Sequence, residues 1–341
     1  MIADLPKLEL HLHLDCSLSY NAVSRLAPGV TREEYFSDYV APARCTNLAD
    51  FLTRAPKSLV LMQDEAALEL VTEDVFEQLK ADNVVYAELR FAPLLHTDCG
   101  LTPERVVEVV NAATERMSLH TGVHCGLILC TLRHFTEEQS MTTARLVKAF
   151  QGSRVVALDI AGDEAGFPIA AHVKAYDYAR EHDLNRTAHA GEAVGPESVW
   201  ETLRLLDPTR IGHGTRSIED PELVAYLREH AIHLELCPSS NVQIIPSIEG
   251  FADHPIDKLY RAGVSLNINT DTRTLTPTTL TREYEEVGNV FGWGVADFRQ
   301  TNLFATEAAF AELPVKAALL QQLARAYGLA ARQSPEYKPP F

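Results

Sequence analysis

No two of the six cysteines stand in a CxxC pair, no basic cluster interrupts the chain, and no apolar run nears the ~20 residues of a membrane span. Each absence removes a class of protein. Six thiols (Cys16, Cys45, Cys99, Cys125, Cys130 and Cys237) spread over 341 residues make no disulfide framework. Cys125, Cys130 and Cys237 sit in apolar runs that suit buried neutral thiols. Lysine and arginine number 30 against 47 acidic residues, a net charge of −17. That field repels a phosphate polyanion, so nucleic acid is not the expected partner and an uncharged small molecule fits better. The opening MIADLPKLEL holds no apolar core of a secretion signal. Without a membrane run either, the expected setting is a reducing cytoplasm.

What is present is an alternation. Hydrophobic residues make up 46% of the chain, enough for a sizeable core. The length suits a (β/α)8 barrel of ~250 residues with insertions, and two ordinary domains would also fit it. Eight short β-rich runs appear, at Leu8–Asp15, Val84–Phe91, His124–Thr131, Val155–Gly162, Asn185–Glu192, Arg210–Thr215, Ile232–Pro238 and Val264–Asp271. Helical segments separate them. Thr102-Pro103 and Asp220-Pro221 place an acceptor at the cap and proline in the first turn, where its missing N–H costs nothing. Thr136 with Gln139 reads as a capping box. Strands alternating with helices give a parallel sheet, and eight repeats close it most economically as an α/β TIM barrel. The stretch 16–83 is longer than a βα loop needs, and is expected to carry extra helices as a lid over the C-terminal face of a single domain, 1–341. The proline-rich tail after Gln333 is expected to be peripheral.

The conspicuous polar residues fall at the C-terminal ends of these strands, the face where barrel enzymes build their sites. In His11-Leu12-His13-Leu14-Asp15 the alternation turns His11, His13 and Asp15 to one side, into the barrel. His189-Ala190-Gly191-Glu192 ends strand five, Ile211-Gly212-His213-Gly214 ends strand six and Asn269-Thr270-Asp271 ends strand eight. Each has a bland reading alone: a chance HxH, a turn, a helix-cap aspartate. Their joint placement supplies nitrogen and oxygen ligands for one metal, with no cysteine and with a position open for water. Of the remaining histidines, His172, His182 and His230 are expected to be solvated. His233 and His254 have no partner motif, and His96 stands where it could reach the mouth.

These motifs, with Leu5-Pro6-Lys7-Leu8-Glu9-Leu10 before the first and Leu158-Asp159-Ile160-Ala161-Gly162-Asp163-Glu164 on strand four, together resemble the adenosine deaminase family, in family order over nearly the whole chain. The resemblance implies one Zn2+ per chain, held by His11, His13, His189 and Asp271. Glu192 would donate a proton to purine N1, and His213 would orient the attacking water. Gly162 would contact the ring near N3, Asp15 would accept from the ribose 5′-hydroxyl, and Thr272 would face N7. The implied activity is conversion of adenosine and 2′-deoxyadenosine to inosine and ammonia. The chemistry asks for these groups: attack on C6 at neutral pH needs an activated water, and the charge arriving on N1 needs an acid with a raised pKa.

Two positions depart from the family pattern. Thr272 stands where a second aspartate is usual, and Cys16 where glycine is usual. Asp15 favours a nucleoside, since relatives acting on free adenine tend to have glutamate there. Adenine, a 5′-modified adenosine or a cyclic amide are the alternative substrates, and a binding protein that has lost activity is the non-enzymatic one.

Overall fold

The computed structural model describes residues 1–328, so the tail after Gln333 lies outside the described residues. Eight parallel strands pair in chain order. They are β1 (Lys7–His13), β2 (Val84–Phe91), β3 (His124–Leu132), β4 (Val155–Ala161), β5 (Asn185–Ala190), β6 (Arg210–His213), β7 (His233–Leu236) and β8 (Leu266–Ile268). This is the (β/α)8 barrel, with helices running back outside the strands. The helix starts form as their residues dictate: Thr102 and Asp220 accept from the first-turn N–H groups, and Thr136 and Gln139 make a reciprocal box.

Strand periodicity sorts the two faces. Leu8, Leu10 and Leu12 join the apolar layer between strands and helices, while Lys7, Glu9 and His11 take the opposite phase, toward the barrel axis. The interior is not the usual stack of branched apolar side chains. It holds Arg90 against Asp159 at 2.8 Å and Glu235 at 2.6 Å, and Arg210 against Glu88 at 2.6 Å and Glu235 at 2.7 Å. Buried ions this tightly matched are favourable only as a set, because removing one partner strands another charge.

β8 is shorter than the run 264–271 expected of it. Its continuation closes on β1 partly with a side chain: Asn269 Oδ1 accepts from the N–H groups of Leu10 (2.8 Å) and His11 (3.1 Å). Beyond it, Asp271 N–H donates to His11 O at 3.0 Å and His13 N–H donates to Asp271 O at 2.7 Å. The closure therefore sets Asp271 directly beside the two β1 histidines.

Within the stretch 16–83, the helix Glu65–Ala81 packs on β2 and on the helix Pro103–Thr121. Four shorter helices precede it: Tyr20–Leu26, Arg32–Asp38, Leu48–Leu52 and Ala55–Leu59. Leu48, Phe51 and Leu52 reach the barrel mouth. No helix among the described residues is long and apolar enough to cross a membrane. His172, expected in solvent, is buried instead. Its ring lies 2.8 Å from Ser140 Oγ and 3.1 Å from Arg133 O, because the turn Ala170–His172 folds against the neighbouring helix.

Candidate active site

His11, His13, His189 and Asp271 converge at the mouth. His13 Nε2 lies 3.2 Å from His189 Nε2, and Asp271 Oδ1 lies 3.3 Å from His11 Nε2 and 3.6 Å from His13 Nε2. Four ligands about an ion with bonds of ~2.0–2.1 Å stand about 3.3–3.4 Å apart, so the spacing fits one metal. The outer ring nitrogens face carboxylates: His11 Nδ1 is 2.9 Å from Glu235 Oε2 and His189 Nδ1 is 3.1 Å from Asp159 Oδ2. Burial alone would raise Glu235, but Arg90, Arg210 and His11 hold it well below the usual carboxylate range. Asp159 is held low in the same way, against its burial, by His189 and Arg90. Ionised carboxylates keep protons on the Nδ1 atoms, which turns the Nε2 lone pairs of His11 and His189 inward. His11 Nε2 is buried without a hydrogen-bond partner. Lone pairs aimed at one point are unfavourable unless a cation sits among them, so the donor set fits a metal of the N/O-binding type.

Cys237 also approaches this set, its sulfur within 4.8 Å of ligand atoms of His11, His213 and Asp271. Burial, with the charge of Asp271 beside it, pushes its thiol well above the usual range. Cys237, just past β7, is the buried thiol expected of it, and its nearness to the ligand set was not visible in the strand-end motifs.

Glu192 and His213 stand next to the cluster. Glu192 Oε2 is 3.5 Å from His213 Nε2, and both residues are nearly inaccessible. Burial, with Asp271 and Glu164 nearby, pushes Glu192 well above the usual carboxylate range. Burial and the imidazoles of His11 and His189 hold His213 well below the usual histidine range. His213 and Asp271 both adopt the left-handed region, at φ 60° and 65°. Non-glycine residues held there mark strain retained by the surrounding structure. Gly212 permits the approach beneath them, since a Cβ at that position would lie 3.0 Å from His11 Cε1.

The cavity at this mouth is lined by His13, His189, Glu192, His213, Asp271 and Thr272 on its polar side, and by Leu48, Phe51, Leu52 and Leu275 on its apolar side, with Gly162 and Cys16 between. Gly162 has φ 99°, which frees its backbone to turn at the wall. Asp15 is not part of this lining. It lies buried 4.0 Å from both His13 Nδ1 and His96 Nε2, accepts from Ala92 N–H at 3.3 Å, and is pushed by burial up to about 6. Wider clefts open around Phe310 and contain none of these groups.

Four residues that bear on the site escaped sequence reasoning: Asp159 and Glu235 behind the histidines, and Asn241 and His254 behind Glu192 and His213. For the first pair a signal existed. Each is a charged residue in inward phase on a barrel strand, Leu158-Asp159-Ile160 and Leu234-Glu235-Leu236. The second pair comes from the helix Pro238–Ile244 and a loop, where no period points to the mouth.

Fold and donor set together define the class: an α/β barrel with a candidate metal centre of imidazole and carboxylate at its C-terminal mouth. Residues 6–326 match the family model described as adenosine deaminase. The chain is 33% identical to the adenosine deaminase of Clostridium acetobutylicum, covering 94% of this chain and 98% of that one. It is 34% identical to the adenosine deaminase of Mycolicibacterium gilvum, over 93% of this chain and 94% of that one. The chain belongs to the adenosine deaminase family. Among solved structures, an adenine deaminase from Arthrobacter aurescens superposes with a TM-score of 0.86 at 27% identity, covering 94% and 98% of the two chains. The N6-mAMP deaminase of Arabidopsis superposes with a TM-score of 0.85 at 27% identity, covering 95% and 99%.

Proposed function

We propose that this chain hydrolyses adenosine, and 2′-deoxyadenosine, to inosine and ammonia, with His11, His13, His189 and Asp271 holding one zinc ion. The observation that carries the reading is the pairing of an inward-aimed ligand set with Glu192, a buried carboxyl 3.5 Å from His213 whose pKa burial raises. Zinc held by these four residues would supply Lewis-acid activation of a water at neutral pH.

The protein's own groups do the rest. Attack at purine C6 drives electron density onto N1, and Glu192 delivers the proton that neutralises it. His213, kept neutral by burial, holds the water in line beside C6. Gly162 presents backbone to the ring. Thr272 accepts the N–H of Thr276 at 3.2 Å, which leaves its hydroxyl proton free for N7. Leu48, Phe51, Leu52 and Leu275 exclude bulk water from the ring, which strengthens each electrostatic contact. Asp15 is buried behind His13 and does not line the cavity, so its contact with the ribose 5′-hydroxyl is carried by the family resemblance alone, and the relatives named adenosine deaminase are what support a nucleoside.

The test is ammonia release from metal-quantified protein against adenosine, 2′-deoxyadenosine, adenine, a 5′-thioether adenosine, adenosine monophosphate and a cyclic amide. The two free nucleosides are expected to give the highest kcat/KM. A higher value for adenine, or turnover of the amide alone, contradicts the assignment.

A further inference from the structure

Glu164 belongs to the strand-four motif, yet nothing in the purine chemistry uses it. It lies on the loop after β4, two residues beyond Gly162, and is 6% exposed. Its carboxylate receives five donors. Oε1 accepts from Gly191 N–H at 2.7 Å and Ser198 Oγ at 2.6 Å. Oε2 accepts from the N–H groups of Glu192 (3.0 Å), Ala193 (2.6 Å) and Val194 (2.9 Å). A carboxylate offers about four lone-pair sites. Glu164 is therefore saturated, with no capacity left to exchange a proton with substrate.

Four consecutive backbone N–H groups point at this one side chain. They belong to the turn between His189 and the helix Pro196–Leu206, the turn that carries Glu192. No strand pairing holds that turn: β5 ends at Ala190. The cap residue Gly195 brings no side chain to the helix start. Gly191, at φ 71°, makes the bend, and a Cβ there would lie 2.5 Å from Val199 Cγ2. The bend is sharp and intolerant of side chains; its N–H groups are held by Glu164, while Arg216 holds its carbonyls, N–H to Gly191 O at 2.9 Å and Nη1 to Ala193 O at 3.1 Å.

We propose that Glu164 is a positioning residue for the deamination: it acts through Glu192, fixing the backbone turn that aims the acid at the ring nitrogen and tying that turn to the Gly162 wall. The proposal rests on Glu192 being the proton donor. Glutamine at position 164 is nearly isosteric, but it offers one acceptor oxygen and turns an NH2 group toward backbone donors. The turn then shifts. Displacement of a catalytic group by ~1 Å costs on the order of 10²-fold in rate.

A double-mutant cycle on the metal-loaded enzyme tests this. Glu164→Gln is expected to lower kcat by roughly 10- to 100-fold, with KM within about threefold and metal content unchanged. In a Glu192→Gln background the same change is expected to alter kcat by less than about threefold, because the group it positions is gone. An equal factor in both backgrounds, or a loss seated in KM, overturns the positioning role and leaves the Glu192 assignment standing. Near-normal activity of Glu192→Gln overturns that assignment itself. Should Glu164→Gln fail to fold, amide hydrogen exchange on the wild type decides: the N–H groups of 191–194 are expected to be protected like strand amides. Exchange at free-loop rates contradicts the anchor.

Discussion

Asn241 Nδ2 lies 3.1 Å from His213 Nδ1, and the neighbours of Asn241 decide which of the two atoms donates. Ile256 N–H donates to His254 Nδ1 at 3.1 Å, so the proton of neutral His254 resides on Nε2. Burial keeps His254 neutral, holding it down to about 3. Its Nε2–H then donates to Asn241 Oδ1 at 3.2 Å, and Thr215 Oγ donates to the same oxygen at 2.7 Å. The amide orientation follows: Asn241 Nδ2 donates, toward His213 Nδ1 and toward Glu192 Oε1 at 3.4 Å. One buried amide thus orients both residues assigned to proton handling.

Asn241→Ala is expected to lower kcat by about 10- to 100-fold while leaving metal content intact, since no metal-facing atom is touched. It also strands donors on His254 and Thr215, at a cost of about 1–3 kcal/mol in stability. Steady-state kinetics with metal quantification and a melting curve check both. Loss of metal, or kinetics unchanged beside a large drop in Tm, contradicts the orienting role.

The carboxylate behind His11 gives a second prediction. Glu235 Oε2 fixes the ring through Nδ1, and Glu235 also neutralises Arg90 and Arg210. Glu235→Gln is expected to weaken metal affinity by about 10- to 100-fold. Competition with a chromogenic chelator measures this. An affinity within twofold of wild type contradicts the account of how His11 is held.

The third concerns pH and lies outside the metal cluster. Glu283 is fully buried, accepts from Ser239 N–H at 3.0 Å and Thr278 Oγ at 2.7 Å, and is pushed by burial from 4.5 up to about 7. A raised carboxyl means that the folded chain keeps a proton the unfolded chain has released. Stability from this group is therefore intact below about pH 4.5, falls as pH rises, and is lost above about pH 7, at most about 3 kcal/mol in all. Glu283→Gln is expected to raise Tm above wild type at pH 8 and to give no gain at pH 5. The same Tm difference at both pH values contradicts this origin.

How much of this the sequence carried depends on where each residue's partners lie. The strand ends were legible because period-2 alternation is local: His11 and His13 share a phase within one strand, and barrel topology carries His189 and Asp271 to the same mouth. The end of β8 was overextended because Asn269 satisfies the closing backbone with its side chain, a contact to residues more than 250 positions away. His254 looked partnerless since its partner, Asn241, acts from another element, and His172 looked solvated since its partners, Ser140 and the carbonyl of Arg133, come from another helix and from the turn after β3. The ionic filling of the barrel was equally invisible as a set, although each charged residue sat in inward phase. Cys16 lines the cavity, so its place was foreseeable from the HLHLD run, and its effect on the 5′ end of a substrate is a question for the nucleoside panel.

The central claim is that Glu192 acts on the substrate while His11, His13, His189 and Asp271 hold the metal. Glu192→Gln separates the two roles in one preparation, measured by metal content and by kcat for adenosine. Wild-type metal content with kcat reduced by at least ~10²-fold is expected. A variant that loses its metal, or one that keeps near-normal kcat, contradicts it.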